Sequence, residues 1–266
     1  MKLKQLMDEA YKGRVRTGRL GRRKDDFLLG FEDLAERLGR RPTKEDVDLL
    51  TPDSEILLAM IRTANVETKR EKIIWGYLTS IAAGRSSEPL RLTAKDYAGL
   101  ELSGGRMILD GEAGPDAHHM GERMRDGRIV VSGRAGDYLG QEMRGGGIVA
   151  SSCGDYGFRN SEGGFGVILG DSGNYLGVGN RGGRIAVKGS SGDRCGWLMR
   201  SGKIRVGGST GDYLGLLMAG GYISVGGCAG AKAGFQMRGG TVIARDFGSG
   251  IGAGKVGGKI LRRTPG

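Results

Sequence analysis

The sequence repeats itself every 19 residues over most of its length, and that period leaves few folds open. The units read DGRIVVSGRAGDYLGQEMR from Asp126, GGGIVASSCGDYGFRNSE from Gly145, GGFGVILGDSGNYLGVGNR from Gly163, GGRIAVKGSSGDRCGWLMR from Gly182, SGKIRVGGSTGDYLGLLMA from Ser201 and GGYISVGGCAGAKAGFQMR from Gly220. A longer unit from Gly104 precedes them, and two partial units from Gly239 and Gly257 follow. At the fourth and sixth places Ile129/Val131, Ile185/Val187, Ile204/Val206 and Ile223/Val225 alternate with other residues, which turns them to one face of a short strand. Paired glycines and the G-D and L-G steps supply corners, and Leu139, Met143, Leu176, Leu198, Met199, Leu214, Met218 and Met237 add apolar bulk. One such unit cannot bury its own apolar face. Stacking units about 4.8 Å apart does so. The expected fold is mainly β: a single-stranded parallel β-helix of about eight 19-residue coils over 104–262, preceded by a link and leading strand at 89–103 and a small all-α region at 1–88.

Glycine composition sharpens this reading. Of 54 glycines only 8 precede Gly104. Collagen would need glycine at every third position with abundant proline, and there are 5 prolines. A disordered glycine-rich linker would lack the recurring Ile, Val, Leu and Met. Helical repeats are longer and tolerate less glycine, and the L-x-x-L-x-L pattern of leucine-rich repeats is absent. A calcium-binding Gly-Asp roll needs Asp where GGFGVILGD holds Ile168. The glycine triplets do not lead from a strand into a helix, so they do not make a dinucleotide cradle.

The G-D-Y-L-G-x-x-M-R-G-G unit resembles the glycine-rich (GXGXG) β-helix family shared by the β-helical subunit of formylmethanofuran dehydrogenase and the C-terminal domain of the glutamate synthase large subunit. The likeness covers about residues 104–260, and the lack of long insertions between coils is closer to the formylmethanofuran dehydrogenase branch. It implies a right-handed β-helix that holds a multi-subunit enzyme together and carries no catalytic residue, no cofactor and no metal. The partners it implies are other subunits of an oxidoreductase complex of C1 or nitrogen metabolism. The first hundred residues do not look like the usual start of the dehydrogenase's β-helical polypeptide.

A side chain at a fixed place in each coil stacks over its counterpart, so each place forms a stripe. Place 19 carries Arg125, Arg144, Arg181, Arg200 and Arg238, and place 3 carries Arg128, Arg184 and Lys203. Like charges about 5 Å apart repel. The stripe is therefore either a docking edge for an acidic subunit or polyanion, or a corner whose arginines pair with the Asp stripe of Asp137, Asp155, Asp193 and Asp212. His118 and His119, with Asp116 and Glu122, form the one cluster with metal-binding or acid–base composition, although adjacent residues of an extended loop point apart. The three cysteines lack a C-x-x-C pair. Cys153 and Cys228 occupy equivalent places about 19 Å apart, beyond disulfide reach, and Cys195 is a core residue. These features, and the absence of an apolar run of membrane-spanning length, read as a cytoplasmic protein that does not enter a membrane.

Residues 1–88 read as helices. Leu3, Leu6, Met7 and Ala10 share one face, as do Phe27, Leu28, Phe31, Leu34, Ala35 and Leu38. Thr43 caps PTKEDVDLL with Asp46 three residues on, Asp53 or Ser54 caps EILLAMIRTA, and ETKREKIIWGYLTSIAAG ends near Gly84. Such a segment suits the exposed first edge of a solenoid. Net charge is +11, with 18 basic and 15 acidic residues over 1–88 and 23 and 15 beyond. A basic arm, Lys12, Arg14, Arg16, Arg19, Arg22, Arg23 and Lys24, has no acidic residue among it and can follow a phosphate backbone. The leading expectation is a scaffold subunit. Nucleic-acid binding through the arm is the alternative, with self-association through an end coil as a further partner.

Overall fold

The structure is a computed structural model and describes residues 30–111 and 117–263. Four helices come first: α1 (Phe31–Arg37), α2 (Lys44–Leu50), α3 (Ser54–Thr63) and α4 (Lys69–Arg85). The Thr43 cap forms as expected, with Asp46 N–H donating to Thr43 Oγ1 and Asp46 accepting from the Thr43 N–H, and Thr68 with Glu71 makes the same reciprocal box at α4. These backbone donors hold the Asp46 and Glu71 carboxyls below the usual carboxylate range. At α3 Asp53 stands at the cap position without a side-chain bond. The helix expected around Leu3–Ala10 and the arm from Lys12 to Lys24 lie outside the described residues.

The solenoid follows as β1 (Leu90–Thr93), β2 (Ser103–Asp110), β3 (Asp126–Ala135), β4 (Gly147–Cys153), β5 (Phe165–Ile168), β6 (Arg181–Val187), β7 (Ser201–Val206), β8 (Tyr222–Val225), β9 (Cys228–Ala229), β10 (Thr241–Ala244), β11 (Asp246–Phe247) and β12 (Lys259–Arg262). Ten of them form one parallel sheet in sequence order, β1 through β8, then β10 and β12, giving about nine turns. The register is the one the repeat requires: Met107, Ile129, Ile148, Gly166, Ile185, Ile204, Ile223 and Val242 stand in one file. Leu109, Val131, Ala150, Ile168, Val187 and Val206 stand in a second, two residues on, and both files are buried throughout. A second, weaker ladder of single bridges joins Cys153, Ser172, Ser191, Thr210 and Ala229.

The solenoid starts earlier than Gly104. β1 pairs with β2 along its whole length, and Asp96-Tyr97-Ala98-Gly99 makes the same turn as the later G-D-Y-L-G segments, so the link is itself a coil. In each full coil that turn uses left-handed backbone at every second residue, as at Tyr138, Gly140 and Glu142 or Tyr213, Gly215 and Leu217.

Helix α4 closes the first coil. Every residue from Ile74 to Ala83 is buried, because α4 lies between the other helices and the solenoid. Thr79 Oγ1 accepts from the Gly99 N–H and Ser80 Oγ donates to the Leu100 carbonyl, which satisfies backbone groups at the edge of the stack. Trp75 Nε1 ties α4 to α3 through the Ile61 carbonyl at 2.9 Å. The approach is close: a Cβ on Gly76 would lie 2.5 Å from the Tyr97 carbonyl oxygen, and one on Gly105 would lie 2.0 Å from that of Ala83.

Candidate functional site

All eight cations of the expected stripe, Arg125, Arg128, Arg144, Arg181, Arg184, Arg200, Lys203 and Arg238, are exposed. Their neutralisation is different from the one expected. Glu162 occupies the place between Arg144 and Arg181 in consecutive coils and reaches both, at 3.2 and 3.7 Å. Arg125 sits 3.7 Å from Glu101. The Asp stripe does not pair with the arginines. Its carboxylates, with the Asn174 amide oxygen at the same place, accept backbone N–H groups of the next coil: Asp155 N–H to Asp137 Oδ1, Asn174 to Asp155, Asp193 to Asn174, Asp212 to Asp193 and Ala231 to Asp212, at 2.7–2.9 Å. A short acceptor at this place satisfies a donor that the turn leaves unpaired. The stripe is thus a structural ladder.

On the edge itself, Arg184 and Lys203 are register partners on β6 and β7, with Arg181 and Arg200 on the same two coils. Glu162 pairs with Arg181 alone of these four, and Lys203 lies 5.2 Å from the ring centre of Tyr222. Among the described residues, Arg184 and Arg200 have no carboxylate within ion-pair distance, and the same holds for Arg128 and Arg238 elsewhere on the stripe.

The two histidines separate. His118 joins the Asp ladder, its N–H donating to Asp96 Oδ1 and its Nδ1 facing the Asp137 N–H at 3.0 Å. His119 is half-buried, with Nδ1 2.7 Å from Glu122 Oε2. Its ring is a rung in a stack at the Tyr place of the repeat: Tyr97, His119, Tyr138, Tyr156 and Tyr175, with centroids 4.5–5.0 Å apart and planes within 8°. Arg194 continues it, its guanidinium 5.4 Å from Tyr175 and 5.5 Å from Tyr213, and Lys232 lies beyond Tyr213. Asp116 lies outside the described residues, and among those described no group of three or more His, Cys, Asp or Glu is arranged to hold a metal ion. The ring faces cover one another, which leaves edges rather than faces to solvent.

The cysteines are not equivalent. Cys153 heads the buried bridge ladder, whereas Cys228 precedes Ala229, the ladder's last member, by one residue and is half-exposed. The unit from Gly145 is one residue short, which shifts Cys153 in the alignment. Burial pushes the Cys153 and Cys195 thiols up to about 12. A disulfide-exchange reagent at pH 8 should therefore titrate Cys228 alone in the native protein and all three thiols after unfolding, because the thiolate is the reactive form. Rapid native reaction of a second thiol would contradict this burial.

A further site lies where the helices meet the coils. A cleft of about 700 Å³ is lined by Arg40, Arg41, Pro42, Thr43, Lys44 and Glu45 on one side, Lys69, Arg70, Ile73 and Tyr77 of α4, and Glu101, Arg123 and Arg125 of the turns. Glu101 organises its floor, with Arg123 Nη2 at 3.1 Å and the Tyr77 hydroxyl at 3.5 Å. Lys44 Nζ donates to the Glu101 carbonyl and to Ser103 Oγ, both at 2.9 Å. Burial, opposed by Glu101 and reinforced by Arg125, lowers the Lys44 pKa, and burial with the Glu101 charge raises that of Tyr77. No sequence periodicity marked this cleft, because its residues come from three segments that only the docking of α4 brings together.

No family model and no curated protein matches the chain. Among the described residues no helix is long and apolar enough to cross a membrane.

Proposed function

We propose that the protein is a non-catalytic assembly subunit of a cytoplasmic multi-subunit enzyme, of the kind represented by the β-helical subunit of formylmethanofuran dehydrogenase, with the glutamate-synthase-type β-helix as the neighbouring case. The observation that carries this reading is the cluster of Arg181, Arg184, Arg200 and Lys203 on two adjacent coils, held at fixed spacing by the β6–β7 register. A rigid comb of cations suits an acidic protein surface, where complementary charge steers encounter and fixes orientation. The stacked rings argue against the nucleic-acid reading for the solenoid, since base stacking needs free aromatic faces and these are occupied.

The test is purification of the tagged native chain with identification of the co-eluting proteins, repeated with Arg181→Glu, Arg184→Glu and Arg200→Glu combined. Exposed charge changes should leave the fold intact, and the acidic partner should be lost. Unchanged retention of that partner would remove the docking edge from the account. Retention of nucleic acid in place of a protein partner, lost on deleting residues 12–24, would support the arm instead.

A further inference from the structure

The junction cleft is charged out of proportion to its own needs. Arg70 is engaged by the carbonyls of Ala35, Leu38 and Gly39 at the end of α1, and Glu101 is matched by Arg123 and Arg125. Arg40, Arg41 and Lys69 remain exposed on the rim with no charged partner among the described residues, and Glu45 is the one other carboxylate in the wall. Holding these cations around one concavity costs Coulomb energy that a bound anion would reverse. Among them, Pro42, Ile73 and the ring of Tyr77 add apolar surface to the lining. Its volume lies within the range of small-molecule sites, about 300–1,000 Å³.

We propose that this cleft binds a phosphorylated small molecule of nucleotide size, with the phosphates on Arg40, Arg41 and Lys69 and the organic part against Pro42, Ile73 and Tyr77. Guanidinium groups pair with the oxygens of carboxylate and phosphate alike, and three cations on one rim favour the larger negative charge of phosphate. All six of these residues belong to the helical segment, and Glu101, Arg123 and Arg125 of the coils line the rest of the cleft. The site is separate from the docking edge, with which it shares Arg125 alone.

Calorimetric titration of the full chain with ADP and with pyrophosphate at low salt tests this. ADP should bind once per chain and more tightly than pyrophosphate, because pyrophosphate lacks the part that uses the apolar side. Arg40→Ala combined with Arg41→Ala should weaken ADP binding by about tenfold or more, the loss of charge-assisted hydrogen bonds. Lys188→Ala combined with Arg205→Ala removes the same charge from exposed sites on the coils and should leave binding unchanged. No binding of ADP at millimolar concentration, equal affinity for pyrophosphate, or equal weakening by the two double variants would each overturn the proposal. Tighter binding of a single-stranded oligonucleotide, lost in the Arg40/Arg41 variant, would overturn the small-molecule assignment.

Discussion

Phe158→Gly is expected to destabilise the solenoid by about 1–4 kcal/mol, and adding Gly166→Ile is expected to restore most of that loss. Phe158 stands at the place held by Gly140, Gly177 and Gly196 in other coils, with the same left-handed backbone, φ +55°. Its ring is buried and fills the space that an isoleucine at 166 would occupy: a Cβ on Gly166 would lie 2.1 Å from the ring. In the neighbouring coils the arrangement is reversed, and the glycine at the turn makes room for an isoleucine Cδ1, which would be 2.6 Å from a Cβ on Gly121 or Gly177. Loss of a buried phenyl costs about 3–5 kcal/mol, while releasing a bulky residue from left-handed backbone returns about 1–2 kcal/mol. Gly166→Ile alone should also destabilise, by overpacking against the ring. Denaturant unfolding of the four proteins measures the cycle. Additive losses would mean that the two positions do not exchange one volume between them.

Removing residues 1–88 should convert the protein into aggregates. The deletion uncovers Leu90, Tyr97, Leu100 and Leu102, all buried now, and strips Thr79 and Ser80 from the Gly99 and Leu100 backbone. An open strand edge beside an apolar cross-section is a template for intermolecular pairing. A point lesion gives the milder form: Gly76→Val drives a side chain into the Tyr97 carbonyl and should loosen α4 by about 1–3 kcal/mol or more. Light scattering and size-exclusion chromatography separate the outcomes. A monomeric truncation with intact β-sheet circular dichroism would refute the cap.

The coil core was legible because one strand per unit with two inward residues writes itself as I-x-V, and the register then follows. Thr43 and Asp46 were legible for a similar reason, since a capping box is a local contact. What stacking places together was less so. The Asp stripe is as compatible with salt bridges as with backbone acceptance until the turn geometry shows the unpaired N–H it faces. Glu162 escaped because the short unit from Gly145 displaces it in the alignment, although in space it falls between Arg144 and Arg181. The first coil escaped because its connection is shorter, despite the D-Y-x-G of Asp96 to Gly99. The cleft left no periodic trace at all: its cations come to line one cavity only when Gly76 and Gly105 let two backbones touch.

The ladders, of backbone, of carboxylates and of rings, bind each coil to its immediate neighbours. Length is consequently available only in whole increments. Removing one complete unit, for example residues 201–219, should rejoin equivalent corners and draw the helical cap and the last strand together by about 4.8 Å while turning neither relative to its own neighbours. The molecule behaves as a ruler with fixed graduations, and whatever is held at its two ends is held at a distance counted in coils.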